Sequence, residues 1–383
     1  MKAAYIISEF NPFHKGHEYI INKARKISDA DYVICIMSGD FVQRGAPAII
    51  DKYTRTEAAL AGGADMVLQL PAAVSLSSAD DFALGGINIA RSLRLPGFLV
   101  FGAECDDMDM LGETARFLTE EPGAFSDHVM NGMEAGYSYP VAVQKAFEFD
   151  APDYLKDILK SPNNLLAVSY LKALKGCKSI EPIAIKRIGA GHNDPSPKAN
   201  GEFMSSSAIR KLMLSGNYDA PPEPLLTEDD FSQILRYLLA QIAKPHENTD
   251  LARRIFNNRE KCTSFRGFAD TVQNRSVTYA QVCRVLMRMI LDIDNEPATK
   301  NPENLYARIL GVRESAKELI NELNKISGIP IIVNLSKDTE KLNSVQKKLL
   351  DTDLGCENIY RGVSSTKSGR EIPTAFERRL ITF

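Results

Sequence analysis

The strongest constraint on the fold is an alternation between short apolar segments and longer amphipathic segments in the N-terminal part of the chain. Five short runs fit buried strands: AAYIIS (3–8), YVICIM (32–37), MVLQL (66–70), FLVFG (98–102) and IEPIAIK (180–186). Helical spacing occurs at about 17–28, 53–62, 79–94, 107–120, 163–175 and 205–215. This order predicts an α/β fold with a Rossmann-like parallel sheet covered by helices on both faces and right-handed crossovers.

A segment rich in proline and acidic residues, NYDAPPEPLLTEDD (217–230), marks the predicted domain boundary. We expect a catalytic domain over 1–220, with a helical insertion at about 103–162, and a mainly helical domain over 221–383. Residues 251–383 carry 22 Lys and Arg against 16 Asp and Glu, whereas the rest of the chain is acidic. This basic excess is compatible with nucleic-acid contact and also with an ordinary solvated helical surface.

The chain has the composition of a cytoplasmic protein. Its N-terminus lacks the long apolar core of a signal peptide, and no stretch has the roughly 18 uncharged apolar residues that would span a bilayer. Its six cysteines are scattered without a CxxC pair, which suits free thiols in a reducing compartment and argues against a structural zinc site. We therefore expect no membrane association and no bound structural metal.

The motif EFNPFHKGH (9–17) follows the first predicted strand directly and opens the first predicted helix. Ligands of parallel sheets bind at the carboxyl ends of the strands, and a helix N-terminus attracts phosphate. Gly16 allows close approach of an anion, and His14 and His17 can donate hydrogen bonds to phosphate oxygens. For the motif alone, a metal site and an ordinary helix cap with two surface histidines are the alternatives.

A second motif, EFMSSSAIRKLM (202–213), has the Ser-rich start and following basic residue expected of a phosphate-binding helix. By itself the motif indicates a good N-cap and little else. Paired with HxGH it resembles the second signature of the nucleotidylyl transferase superfamily, and this resemblance implies that its helix N-terminus and Arg210 hold the β- and γ-phosphates of a nucleoside triphosphate. The chain has no GxxxxGK[ST] loop, and GAGHND (189–194) lacks the third glycine of a dinucleotide fingerprint. These absences argue against Walker-type ATPase and NAD-binding interpretations. HxGH after the first strand of a parallel sheet is typical of the nucleotidylyl transferase superfamily.

Taken together, the motifs resemble the bacterial tRNA(Met) cytidine acetate ligase family of that superfamily. The resemblance rests on both motifs above and on MSGDFVQRG (37–45), KYTRTEAAL (52–60), QLP (69–71), FGAE (101–104) and PNN (162–164). It covers residues 1–215 and, more weakly, the C-terminal part, where NRSVTYAQVCRVLMRMIL (274–291) is similar to a basic helix of the family. It implies a fold of the nucleotidylyl transferase (HUP) type. The implied activity is ATP-dependent formation of acetyl-adenylate from acetate, followed by acetyl transfer to the wobble cytidine of elongator tRNA(Met), giving N-acetylcytidine.

The resemblance also implies the residues of the site. The implied ATP-binding residues are Ile7, Ser8, Glu9, Phe10, Asn11, Pro12, Phe13, His14, Lys15, Gly16, His17, Glu18, Tyr19, Ile20, Gly102, Asn163, Arg187, Ile188, Ser205, Ser206 and Ser207. His14 and His17 would stabilise the α-phosphate and Arg210 the leaving pyrophosphate. Mg²⁺ would bridge the phosphates, with Asp40 as a helper. Lys15 and Phe10 depart from the asparagine and tyrosine that are common in the family at these positions.

Candidate tRNA contacts come from two regions. Arg44 and Lys52 are predicted in a loop over the crevice, and Arg275 precedes a helix near 277–291 that carries Arg284 and Arg288 four residues apart on one face. Two other functions stay open at this point. A small-molecule adenylyl transferase would use the same HxGH motif on a metabolite phosphate, and a non-catalytic tRNA-binding protein would retain only the fold.

Overall fold

A computed structural model describes residues 1–187, 203–219, 221–245, 249–293 and 297–383 of the 383-residue chain. Its strands are β1 (Ala3–Ser8), β2 (Tyr32–Ser38), β3 (Phe41–Val42), β4 (Ala46–Pro47), β5 (Met66–Leu70), β6 (Gly97–Ala103), β7 (Ile180–Lys186), β8 (Ala307–Val312), β9 (Ile331–Ile332) and β10 (Ile381–Thr382). The five predicted strands are confirmed as β1, β2, β5, β6 and β7.

The helices of the first half are α1 (Lys15–Ser28), α2 (Lys52–Ala61), α3 (Ala72–Ser75), α4 (Ala79–Ser92), α5 (Met108–Glu120), α6 (Phe125–Glu134), α7 (Tyr139–Asp150), α8 (Pro162–Ala173) and α9 (Ser206–Leu214). Those of the second half are α10 (Ser232–Gln241), α11 (Asp250–Asn258), α12 (Phe265–Val272), α13 (Tyr279–Ile290), α14 (Lys317–Ile326), α15 (Leu335–Asp338) and α16 (Ser344–Ser368). All the predicted helices are present, with ends within a few residues of the expected positions. Helices α5 to α7 lie in the segment predicted as a helical insertion.

The main sheet has the order β10-β8-β5-β2-β1-β6-β7, with β9 paired to β8. From β5 to β7 all neighbours are parallel. The chain runs outward from β1 through β2 to β5 and then returns to the other side of β1 as β6, so the strand order reverses at β1 and β6. In open α/β sheets this reversal creates a crevice at the carboxyl ends of the strands.

Both faces of the central strands are covered. In β1, Tyr5 and Ile7 contribute to one hydrophobic core, and Ala4 and Ile6 contribute to another on the opposite face. Alternate side chains of a strand point to opposite faces, so a strand covered on both sides has to be apolar throughout. This explains why the central strands are unbroken apolar runs in the sequence.

The C-terminal part is mainly helical, but it also contributes strands to the N-terminal sheet. β8 pairs antiparallel with β5, and β9 and β10 pair parallel with β8, so three C-terminal strands complete the N-terminal sheet and make it mixed. The segment Ala307–Val312 is short and apolar throughout, a pattern that periodicity alone does not separate from a buried helix turn. Helices α10 to α13 form a separate core around Phe231, Phe265 and Phe268.

In the part of the chain that the structure describes, no helix is both long enough and apolar enough to cross a membrane.

Candidate nucleotide-binding site

A cleft of about 350 Å³ lies at the carboxyl ends of β1 and β6, where the N-termini of α1 and α9 meet. It brings together most of the site residues predicted from the sequence. Predicted residues in its lining are Ile7, Ser8, Glu9, Phe10, Asn11, His14, His17, Ile20, Gly102, Asn163, Arg187, Ser205, Ser206, Ser207, Arg210 and Arg44. Segments about 200 residues apart in the sequence therefore share one surface, as expected for the carboxyl ends of parallel strands.

The two histidines are held by the start of α1. His14 is the N-cap residue, and its Nδ1 accepts a hydrogen bond from the backbone N–H of Gly16 at 3.0 Å. Nδ1 of His17 accepts from the backbone N–H of His14 at 3.3 Å, and the two rings stack with centroids 3.8 Å apart. A neutral imidazole that accepts at Nδ1 carries its proton on Nε2. Both residues therefore have Nε2–H as a hydrogen-bond donor, and that of His14 lies 3.0 Å from Ser206 Oγ.

The local environment keeps both rings uncharged at neutral pH. Burial and the positive charge of Arg187 lower the pKa of His14 to about 4. Burial, the neighbouring His14 and Arg187 lower the pKa of His17 well below its usual range. The pair is thus a neutral double donor in the absence of an anion.

Residue 16 has to be glycine because the His14 ring occupies the space that a side chain would need. A Cβ at residue 16 would lie 2.9 Å from His14 Cε1 and 3.0 Å from His14 Nδ1. Such a distance is shorter than ordinary carbon contacts, so a side chain here would displace the imidazole. The glycine in HxGH therefore leaves room for the imidazole of the first histidine in its observed position.

Helix α9 forms the opposite side of the cleft. Ser205 is its N-cap and accepts from the N–H of Ala208 at 3.2 Å. Arg210 donates to the carbonyl oxygen of Asn11 at 2.6 Å and to Ser207 Oγ at 3.0 Å, which attaches α9 to the segment before α1. Two helix N-termini and Arg210 consequently face one cavity, an arrangement suited to a polyphosphate.

A third group of residues forms the wall near β6. Asn163 donates to Glu104 Oε1 at 2.6 Å, and Nε of Arg187 lies 3.7 Å from the same oxygen. At Gly102 a Cβ would lie 3.1 Å from Ile20 Cδ1 and 3.3 Å from Arg187 Cγ, so a larger residue would crowd this wall. Glu104, which orients two predicted site residues, was not singled out from the sequence.

Some predicted ATP-binding residues lie elsewhere. Those that do not line the cleft are Pro12, Phe13, Lys15, Gly16, Glu18 and Tyr19. Ile188 lies outside the described residues. The sequence interpretation also missed part of the lining, namely Ile6, Gln43, Ala79, Phe82, Phe101, Pro162, Leu165, Leu166 and Tyr170. Gln43, Phe101 and Pro162 lie in motifs of the family resemblance but were not predicted as site residues. The others are apolar or aromatic, and nothing in their local sequence separates a cleft wall from a core.

The structure corrects the predictions for Asp40 and Lys52. Lys52 is 1% exposed; its Nζ lies 3.2 Å from Asp40 Oδ2 and 2.6 Å from Glu357 Oε2. Neither residue lines the nucleotide cleft. The expectation of Lys52 as a surface contact for tRNA is wrong, because its charge is buried and paired. Asp40 is held by the same ion pair and is not placed to bind Mg²⁺ in the cleft.

The basic helix α13 is also less open than expected. Arg284 is half-buried and donates to the carbonyl oxygen of Gln43 at 3.3 Å. Arg288, also half-buried, donates to the carbonyl oxygens of Ala73 and Leu76 at 3.2 and 3.3 Å. These contacts join α13 to the sheet-bearing part of the molecule, so the two arginines do not form a freely exposed basic face. Arg275 is exposed, with its guanidinium 4.0 Å from the centre of the Tyr137 ring.

Comparison with known proteins agrees with this geometry. The HIGH Nucleotidyl Transferase family matches residues 1–372. A tRNA(Met) cytidine acetate ligase of Clostridium perfringens is 34% identical, covering 94% of this chain and 95% of that protein, and one of Clostridium novyi is 34% identical, covering 90% and 93%. Crystal structures of Thermotoga maritima TmcAL, in an apo form and bound with alpha-thio ATP, superpose with TM-scores of 0.87 at 27% and 26% identity over 100% of each chain. With matches of this extent in sequence and structure, the chain belongs to the tRNA(Met) cytidine acetate ligase family of HIGH nucleotidyl transferases.

Proposed function

We propose that this protein is an ATP-dependent ligase that joins acetate to the wobble cytidine of elongator tRNA(Met) through an acetyl-adenylate. The observation that carries the proposal is the pair of neutral histidines at the start of α1, opposite the N-terminus of α9 and Arg210. Two helix N-termini, two imidazole donors and Arg210 around one cleft suit a polyphosphate. The relatives in two Clostridium species bear the name of this activity, and the Thermotoga protein has been crystallised with an ATP analogue.

In the first step, a carboxylate oxygen of acetate attacks the α-phosphorus of ATP, the bond to the β-phosphate oxygen breaks, and pyrophosphate leaves. Nε2–H groups of His14 and His17 would donate to the α-phosphate oxygens as charge builds up. Arg210 and the N-terminus of α9, with Ser205, Ser206 and Ser207, would hold the leaving pyrophosphate. Such a transfer depends mainly on positioning and charge neutralisation.

In the second step, the exocyclic amine of cytidine attacks the acyl carbon, the bond between that carbon and the adenylate oxygen breaks, and AMP leaves while the amine loses a proton. For the tRNA we retain Arg44, which lines the cleft, and Arg275, which is exposed. Arg284 and Arg288 would contribute chiefly by fixing α13 against the sheet-bearing part.

Mg²⁺ would accompany ATP as an ion on its phosphates. The ion binds oxygen ligands and commonly uses one or two carboxylates together with substrate phosphates. Within the described ranges, no group of three His, Cys, Asp or Glu side chains is arranged to hold a metal ion. Of the described residues that line the cleft, Glu9 is the one carboxylate. The described residues thus offer no metal cage of their own, and the steps above are assigned to side chains and helix N-termini alone.

The experiment is exchange of labelled pyrophosphate into ATP, measured with and without acetate. We expect exchange that requires acetate and does not require tRNA. His17→Ala should reduce it about 10²- to 10³-fold, because a donor to the developing charge is lost, while the protein stays folded. Unchanged exchange in His17→Ala would contradict the histidine assignment.

The same experiment separates the two other candidate functions. Pyrophosphate exchange that does not depend on acetate but requires a phosphorylated metabolite would indicate a small-molecule adenylyl transferase. Absence of ATP binding by calorimetry would indicate a non-catalytic protein.

A further inference from the structure

Three polar atoms of the cleft wall are buried and have no hydrogen-bond partner among the described residues: Ser8 Oγ, Gln43 Nε2 and Tyr170 Oη. Leaving such a group unpaired in a protein interior is unfavourable, so native structures rarely do it without a reason. All three atoms can donate a hydrogen bond. Their presence in one cleft indicates a ligand that supplies acceptors.

The three residues come from different elements around the end of β1. Ser8 is the last residue of β1, and Gln43 follows β3, with its backbone N–H donating to Glu9 Oε1 at 2.8 Å. Tyr170 lies on α8, is 2% exposed, and has its ring centroid 5.5 Å from that of Phe101 on β6. Burial and the nearby charge of Glu9 raise the pKa of Tyr170, so its hydroxyl stays protonated and able to donate.

The cleft also has apolar lining residues. Ala79 and Phe82 of α4, Phe101 of β6 and Leu166 of α8 line the same cavity. Apolar lining residues beside a few buried donors suit a short alkyl group attached to a polar head. The nucleotide phosphates are already provided for by the histidines and α9, so a second ligand best explains the unpaired donors.

We propose that Ser8, Gln43 and Tyr170 form the acyl-donor subsite and bind the carboxylate of a short monocarboxylic acid, whose alkyl group packs against Phe82 and Phe101. This inference rests on the proposed function and locates its second substrate. Neutral donors orient a carboxylate without pairing it with a full positive charge, so its oxygen keeps the electron density needed to attack phosphorus. The charge of Glu9 opposes an anion here, and three arginines of the same cleft, Arg44, Arg187 and Arg210, offset it.

The test is binding of ¹³C-labelled acetate, followed by NMR in the presence of a non-hydrolysable ATP analogue. Tyr170→Phe and Ser8→Ala should each weaken acetate binding about tenfold or more, since a hydrogen bond to a charged group contributes about 1.5–3 kcal/mol. For Tyr170→Phe, the dissociation constant of the ATP analogue, measured by calorimetry without acetate, should stay within about twofold of the wild-type value. Ser8 is itself an expected ATP-binding residue, so Ser8→Ala is measured for acetate binding alone. Ser169→Ala is the matched control on α8, because its hydroxyl donates to Asp80 Oδ1 at 2.6 Å and does not line the cleft.

Thermal unfolding is a second measurement, and it distinguishes an unpaired hydroxyl from one that makes a structural hydrogen bond. Tyr170→Phe removes an unpaired polar group and should leave the melting temperature unchanged or raise it. Tyr5→Phe should lower it, because the Tyr5 hydroxyl donates to the carbonyl oxygen of Leu95 at 2.7 Å.

Two further results separate this proposal from the proposed function. Equal acetate binding by wild type and both variants, or an equal loss of acetate and nucleotide affinity in Tyr170→Phe, would overturn the subsite. Acetate that binds to wild type and is weakened by Tyr170→Phe, without any acetate-dependent pyrophosphate exchange, would support the subsite and contradict the ligase activity.

Discussion

At the scale of single residues, the site depends on two imidazoles that are neutral when no phosphate is bound. Burial and Arg187 lower the pKa of His14 to about 4, so a bound triphosphate next to the ring should raise that pKa. Protonation and ATP binding then favour each other. ATP affinity should therefore increase as the pH falls toward the pKa of His14 in the free protein.

We therefore expect ATP binding to take up protons between pH 7 and pH 5, with affinity rising by at most about tenfold per pH unit. Calorimetry in two buffers with different ionisation enthalpies measures this uptake. His14→Gln is the reference protein. The phosphates of ATP also take up protons in this pH range, and they contribute equally with wild type and variant, so the difference in proton uptake reports on His14. The same proton uptake in wild type and His14→Gln would contradict the assignment of His14 to the phosphates.

Gly16 gives a prediction with a matched control. Gly16→Ala places a methyl group 2.9 Å from His14 Cε1, so we expect a loss of about 10²-fold or more in pyrophosphate exchange through a displaced imidazole. Gly112→Ala in α5 meets nothing within 4 Å and should stabilise the protein by about 0.5–1 kcal/mol without affecting exchange. Full activity in Gly16→Ala would show that the position of His14 is not critical.

At the scale of elements, α2 connects the cleft to the C-terminal helix α16. Arg55 of α2 is buried and donates to the carbonyl oxygens of Glu9, Ser38, Gly39 and Ile50, which fixes the loops after β1 and β2. One turn earlier, Lys52 pairs with Glu357 of α16. The loop that carries Glu9 is thereby supported from the far end of the chain.

Removing Glu357 should destabilise the protein strongly. Lys52 Nζ lies 2.6 Å and Arg308 Nη1 3.0 Å from Glu357 Oε2, and both cations are buried. Glu357→Gln should therefore cost about 3–5 kcal/mol in urea unfolding, because a buried positive charge loses its partner. Glu322→Gln, in the surface pair with Lys325 at 3.4 Å, should change stability by less than about 1 kcal/mol. Equal effects of the two substitutions would contradict this account.

The same carboxylate has a predictable pH dependence. Burial alone would raise the pKa of Glu357, but the charges of Lys52 and Arg308 outweigh it and lower the pKa from 4.5 to about 2. Its contribution to stability is present above pH 4.5 and is lost as pH falls toward 2.

At the scale of the whole molecule, the sheet needs both ends of the chain. β8 covers β5, all of whose residues are buried, and the C-terminal residues of β10 lie against β8. A fragment of residues 1–220 would expose this apolar strand edge. We expect it to show no cooperative thermal unfolding and to aggregate, whereas the full chain melts cooperatively. A soluble 1–220 fragment that binds ATP would support the predicted domain boundary instead.

Features that depend on neighbouring residues could be predicted from the sequence, whereas features that depend on distant residues could not. Strands β1, β2, β5, β6 and β7 and the cleft motifs were predictable, because periodicity and strand-end chemistry are local. The burial of Lys52 was not, since its partner Glu357 lies 305 residues later and the start of a helix is normally exposed. The hydroxyl of Tyr170 was missed for a similar reason: whether it is paired depends on the packing of α8, which no pattern around residue 170 reveals.

The most direct test of the central claim is mass spectrometry of elongator tRNA(Met) after incubation with the protein, ATP and isotopically labelled acetate. The account predicts one labelled acetyl group on the wobble cytidine, with one AMP and one pyrophosphate released for each acetyl group transferred. His17→Ala should reduce the label about 10²- to 10³-fold, and omission of ATP or acetate should abolish it. Unlabelled cytidine after incubation with folded protein that binds ATP would contradict the account.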